Sequence, residues 1–82
     1  MGEVEVAGAL GLHARPAAEF AERAARFASS VTLAKGSREV DAKSVLLVLT
    51  LDVRHGDRVV VSATGADATD AVRELTEVLR VP

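Results

Sequence analysis

The run Gly11-Leu12-His13-Ala14-Arg15-Pro16-Ala17-Ala18 gathers three kinds of chemistry within a few residues. His13 brings an imidazole, whose neutral form is a base and a nucleophile. Arg15 brings a permanent positive charge with a planar fork of donors that matches phosphate oxygens. Pro16 lacks an N–H and has its φ already fixed, which suits the first turn of a helix. Such a turn exposes backbone N–H groups without intrahelical partners, and the helix dipole adds roughly half a positive charge there. A helix opened by Pro16, Ala17 and Ala18 would therefore hold a phosphoryl or carboxylate group beside the ring. Gly11 allows a tight backbone path just before it. The same cationic surroundings disfavour an imidazolium, so the ring is expected to stay neutral and nucleophilic near neutral pH.

Other chemistries fit less well. A histidine at a helix start is commonly a cap or a surface residue, so this one gains its interest from its neighbours. A metal site would need more ligands, and His55 is the only other histidine in a chain with no cysteine. No G-x-S-x-G elbow supports a hydrolase, and the glycines form neither a Walker loop nor a dinucleotide fingerprint. No metal and no cofactor are expected. Two possibilities remain open: covalent chemistry on His13, or anion binding beside it.

The elements that would carry the site can be read from periodicity. Residues 3 to 7 alternate polar and apolar and predict a short strand. From Pro16 the spacing becomes helical, with Ala17, Phe20, Ala21, Ala24 and Phe27 on one face, while Glu19–Arg23 and Glu22–Arg26 form i,i+4 pairs on the other. Residues 30 to 34 and 38 to 42 predict two strands joined by a Lys35-Gly36-Ser37 turn. Residues 58 to 64 predict a further strand. Asp67 to about Arg80 predicts a helix with Asp67 as N-cap and Ala68, Ala71, Val72, Leu75, Val78 and Leu79 facing inward. The segment 44 to 53 is ambiguous. Its β-branched residues lean toward a strand, whereas Ser44 is a good N-cap and the apolar residues run almost all round. The resulting order, β-α-β-β-(?)-β-α, suits an antiparallel sheet with helices on one face.

Composition narrows the functional class. The chain has 82 residues, 49% hydrophobic and 27% charged, with a formal net charge of −2. A single domain spanning 1–82 with an aliphatic core is expected, since Phe20 and Phe27 are the only aromatics. There is no basic face with aromatic platforms for nucleic acid, and no apolar run long enough for a membrane span. The first residues have neither the basic start nor the apolar stretch of a signal peptide, and Val6 stands where a myristoylation motif needs Ser or Thr. A cytoplasmic location is expected.

The run Gly11–Ala18, the apolar helix face after it and Ala42-Lys43-Ser44 closely resemble the HPr family, the histidine-containing phosphocarriers of the phosphoenolpyruvate-dependent sugar phosphotransferase system. The resemblance covers essentially the whole chain. It implies an α+β open-faced β-sandwich, β-α-β-β-α-β-α, with a four-stranded antiparallel sheet and helices on one face, and it makes 44 to about 51 a short helix. His13 would accept a phosphoryl group on Nδ1 from phosphorylated enzyme I and pass it to IIA domains, with Arg15 as electrostatic partner. Ala18, Phe20, Val45, Leu46 and Leu49 would flank the site as a docking surface, with plain core packing as the ordinary alternative. Ser44 lies where many members carry a serine phosphorylated by HPr kinase, although it could simply cap the short helix. No nucleic acid, no membrane and a monomer are implied. Asp52 departs from the family's usual glycine at the end of the short helix, which suggests that this helix ends differently. Leu10 and Leu47 are further departures, and they leave open whether the branch served is sugar, nitrogen or purely regulatory.

Overall fold

A computed structural model describes residues 1–9 and 11–81; the departure at Leu10 lies outside them. The elements are β1 (Gly2–Glu5), α1 (Ala14–Ala25), β2 (Ser30–Lys35), β3 (Arg38–Asp41), α2 (Val45–Thr50), β4 (Arg58–Thr64) and α3 (Ala68–Arg80). The four strands form one antiparallel sheet in the order β1-β4-β2-β3. This is the α+β open-faced sandwich, with the helices covering one face of the sheet.

Period-two alternation explains which face is covered. Val4, Val31, Leu33, Val59 and Val61 point inward and are buried. The intervening positions carry Glu3, Glu5, Thr32 and Arg58, and Arg58 reaches Glu3 at 3.2 Å across the open face. From the helices, Ala17, Phe20 and Ala24 of α1, Val48 of α2, and Ala71, Leu75 and Leu79 of α3 complete the core. The alanines keep α1 thin, so a small protein can bring its backbone close to its neighbours. Phe20 is 0% exposed and lies in the middle of this packing.

Several expectations change in detail. β1 stops at Glu5 rather than Ala7, because Val6 exchanges hydrogen bonds with Asp57 and Gly56 while Ala7 donates to the Leu79 carbonyl. α1 begins at Ala14, two residues before Pro16, and ends before Phe27, which is half-buried just beyond it. Of the two expected ion pairs only Glu22–Arg26 forms, at 3.0 Å; Arg23 turns to Glu74 of α3 and Glu19 to Arg15. The segment after Ser44 is a helix, which decides against the β-branched lean: six residues suffice to bury Val48 on the core while α1 packs against them.

Asp67 stands at the N-cap position of α3 but does not cap it. Its carboxylate instead accepts from the backbone N–H groups of Ala28 and Ser29, each at 2.9 Å, and from the Ser29 hydroxyl. It thereby ties the start of α3 to the loop between α1 and β2. These donors, the Ser29 hydroxyl first, hold the Asp67 carboxyl below its ordinary value.

Two outcomes test this account. Phe20→Ala should cost about 3–5 kcal/mol in denaturant unfolding, a large share of the roughly 4–12 kcal/mol available to a domain this size. Asp67→Asn should lower the thermal midpoint at neutral pH. Because the folded-state pKa is depressed, the contribution of Asp67 is complete above the unfolded value of about 4 and fades as pH falls through the folded one. The gap between wild type and variant in a pH series of melts should therefore close on the acid side.

Candidate functional site

The loop before α1 is fixed by a backbone contact. Leu12 donates to the Val53 carbonyl at 2.9 Å, and both side chains are buried. Gly11 has φ +60°, and a Cβ there would lie 2.3 Å from the Val53 carbonyl oxygen. Only glycine fits that path. The loop is thus laid directly on the strand-like segment that follows α2.

His13 comes next, extended at φ −108° and ψ 154°, as the N-cap of α1. Its ring makes no capping bond and its side chain is 48% exposed. Ala14 then takes φ +42°, uncommon for a residue with a side chain. With His13 as N-cap, the first intrahelical bond runs from the Ala17 N–H to the His13 carbonyl, and the Ala18 N–H is engaged one step on. Pro16 has no N–H at all. This corrects the expected donor set: among the described residues the N–H groups of Ala14 and Arg15 have no partner, while Pro16, Ala17 and Ala18 build the turn that presents them. Ala17 is buried and Ala18 is exposed beside the ring's end of the helix.

Asp52 is the residue that sequence reasoning missed. It follows Leu51 at the end of α2 with φ +50°, a left-handed conformation that Asp tolerates better than most residues. The helix therefore ends in the conformation a glycine would adopt, contrary to the expectation of a different ending. The aspartate adds a side chain where glycine has none. Its Oδ1 lies 3.4 Å from His13 Nε2, and its Oδ2 accepts from Arg54 Nη2 at 2.8 Å and Nε at 3.1 Å. Hydrogen bonding to Arg54, and then its charge together with those of His13 and Lys35, holds the Asp52 carboxyl below its usual range. Lys35 Nζ donates to the Asp52 carbonyl at 2.7 Å and pairs with the Asp57 carboxylate at 2.9 Å, which is lowered in turn. The surroundings of the ring are thus mixed in sign, and the expected wholly cationic setting is corrected. A glycine-to-aspartate change was visible in sequence; its reach to His13 depends on the Gly11–Val53 approach and was not.

Arg15 is 88% exposed on its side chain and lies 3.9 Å from Glu19, one turn along α1. His55 puts its Nδ1 against the Ala7 carbonyl at 3.1 Å.

Next to the ring, α2 presents an apolar surface. Leu46 is 76% exposed, with Val45 and Leu47 exposed to a lesser degree. Leu49 is half-buried against the core, and Phe20 is wholly inside it. Phe20 is therefore withdrawn as a docking residue, because no atom of it can meet a partner. Ser44 caps α2, its Oγ accepting from the Leu47 N–H at 3.2 Å.

Chemically, an exposed imidazole, two amides without a partner among the described residues and a long guanidinium side chain can accept and hold a tetrahedral anion. The comparisons with known proteins agree with that chemistry. The family model for the PTS HPr component phosphorylation site matches residues 2–80. The phosphocarrier protein HPr of Haemophilus influenzae is 36% identical over 77 residues, covering 94% of this chain and 91% of that protein. A multiphosphoryl transfer protein of Xanthomonas campestris pv. campestris is 42% identical over 69 residues, 84% of this chain but 8% of that much longer protein. A crystal structure of phosphocarrier protein HPr from Bacillus anthracis superposes with TM-score 0.93 at 32% identity, covering 95% of this chain and 93% of that one. The chain belongs to the HPr family of phosphotransferase-system phosphocarriers.

Proposed function

We propose that His13 takes a phosphoryl group onto Nδ1 from phosphorylated enzyme I and hands it to IIA domains. The observation that carries this reading is the placement of an exposed imidazole at the N-cap of α1, beside the free N–H groups of Ala14 and Arg15. The Nδ1 lone pair of the neutral ring attacks phosphorus as the donor's P–N bond breaks, and the proton on Nε2 stays where it is. The two amides receive the phosphoryl oxygens, and the Arg15 guanidinium swings from Glu19 to join them. The protein is a carrier between enzymes, regenerated by giving the group away, and it needs no metal or cofactor. It works as a monomer in the cytoplasm.

Val45, Leu46, Leu49 and Ala18 form the docking surface in this reading, with Leu47 extending it. A surface of one short helix and a helix start is small, which suits partners that must leave quickly. Ser44 is a candidate for regulation by HPr kinase. Its hydroxyl oxygen sits at the start of α2, so a phosphate there would place a dianion at the edge of the docking surface and impair acceptance from enzyme I.

Incubation with enzyme I and phosphoenolpyruvate should give an acid-labile, alkali-stable phosphoryl adduct on the wild-type chain and none on His13→Ala. Arg15→Ala should accept about tenfold or more slowly, the loss of a charge-assisted contact. A wild type that gains no adduct would overturn the assignment in favour of non-covalent anion binding, and a variant lacking His13 that still gains one would overturn it in favour of another acceptor residue. For Ser44, treatment with HPr kinase and ATP followed by site mapping should place the label on Ser44 and lower the rate of acceptance from enzyme I; an unlabelled Ser44 removes the regulatory role.

A further inference from the structure

We infer that Asp52 is a positioning residue for His13, holding the ring through Nε2 so that the proton stays there and the Nδ1 lone pair faces the incoming phosphoryl group. The inference deepens the proposed function and relies on it for what Nδ1 does. A neutral imidazole carries one proton on one of two nitrogens, and the partner of each nitrogen decides where it resides. An ionised carboxylate only accepts. Oδ1 of Asp52 lies 3.4 Å from Nε2, a charge contact rather than a closed hydrogen bond, and a carboxylate at that range favours the N–H on Nε2 and the lone pair on Nδ1. A carboxylate beside a histidine fixes tautomer and orientation in the same way in hydrolytic triads.

The placement of Asp52 is built by several elements. The left-handed backbone aims the side chain back from the end of α2, and Lys35, from the end of β2, holds its carbonyl. Arg54 occupies Oδ2 through two donors and leaves Oδ1 for the ring. That arrangement also answers an electrostatic objection. A bare carboxylate would repel an incoming phosphoryl group, but Arg54 and Lys35 offset it directly, and Arg15, two residues from His13, adds a further cation. Asp57, the remaining acid nearby, is paired with Lys35.

The cycle balances without moving a proton. As the donor's P–N bond breaks, Nδ1–P forms and Nε2 keeps its hydrogen toward Asp52. When the group leaves for the next acceptor, the electron pair of that bond returns to Nδ1 and the ring is again neutral and correctly turned. Asp52 therefore serves acceptance and donation alike.

Two substitutions separate the side chain from the backbone. Asp52→Asn removes the charge and keeps a residue that tolerates positive φ, while Asp52→Gly relaxes the backbone and removes the side chain. The 82-residue chain, labelled with 15N-histidine, is examined by ring-nitrogen NMR at mildly alkaline pH, and single-turnover acceptance is timed against phosphorylated enzyme I. Wild type should show the Nε2–H tautomer predominating at His13. Both variants should shift toward the other tautomer, with His55 unchanged, and should lose about fivefold in the rate of transfer at saturating donor while KM for enzyme I stays constant. Unaltered tautomer and rate in both variants would overturn the inference. So would a slower rate with an unaltered tautomer, or an altered tautomer with an unaltered rate. If wild type accepts no phosphoryl group, the proposed function fails on that result, and the NMR arm alone then decides whether Asp52 holds the ring.

Discussion

The backbone of Gly11 and Leu12 lies against the chain at Val53 with no space between them, and each group at the site takes its position from that contact. The hydrogen bond from Leu12 to Val53 and the missing side chain at Gly11 bring the start of α1 and the end of α2 together. Leu12 and Val53 anchor the junction from below by burying their side chains. Without it, His13 would sit at the tip of a loop, and Asp52 would be a turn residue with nothing to meet. The imidazole, the free amides of Ala14 and Arg15, and the apolar surface of α2 share one rim because two segments forty residues apart are laid edge to edge.

Around that junction the fold uses modest means. The core is almost wholly aliphatic, and its helices stay close because α1 offers alanine at three of its buried positions. Polar side chains then tie element to element where the core is thin. Asp67 joins the loop between α1 and β2 to the start of α3, and Lys43 Nζ holds the Phe27 carbonyl at 2.8 Å. Lys35 links the end of β2 to the turn regions on both sides of Arg54. An aspartate that caps nothing by conventional position thus does more for the tertiary structure than it would as a cap.

Much of this was legible from residue types. Alternation located β2, β3 and β4 to within a residue, and the glycine-lysine turn chemistry joined the first two. Ser44 marked the start of α2 correctly, although β-branching argued for a strand; burial of a single valine on the core outweighed propensity. The run from Gly11 to Ala18 pointed to the site's chemistry, and because the helix begins before its proline the proposed donor amides are those of Ala14 and Arg15. Long-range geometry was not legible. Periodicity shows that Phe20 faces inward or outward, yet only packing shows that it is sealed; and nothing local to Asp52 says that a histidine waits opposite.

α2 is six residues long, less than two full turns, and no helix of that length persists in water unaided. The Leu47 N–H in its first turn is met by Ser44, and its last carbonyl, that of Thr50, by Arg38 of β3, whose guanidinium reaches it at 2.7 Å. The face that other proteins are proposed to grip is therefore kept in shape from behind, by an arginine on the outermost strand. How firmly that face is presented can thus be retuned by editing a position that lies outside α2 itself.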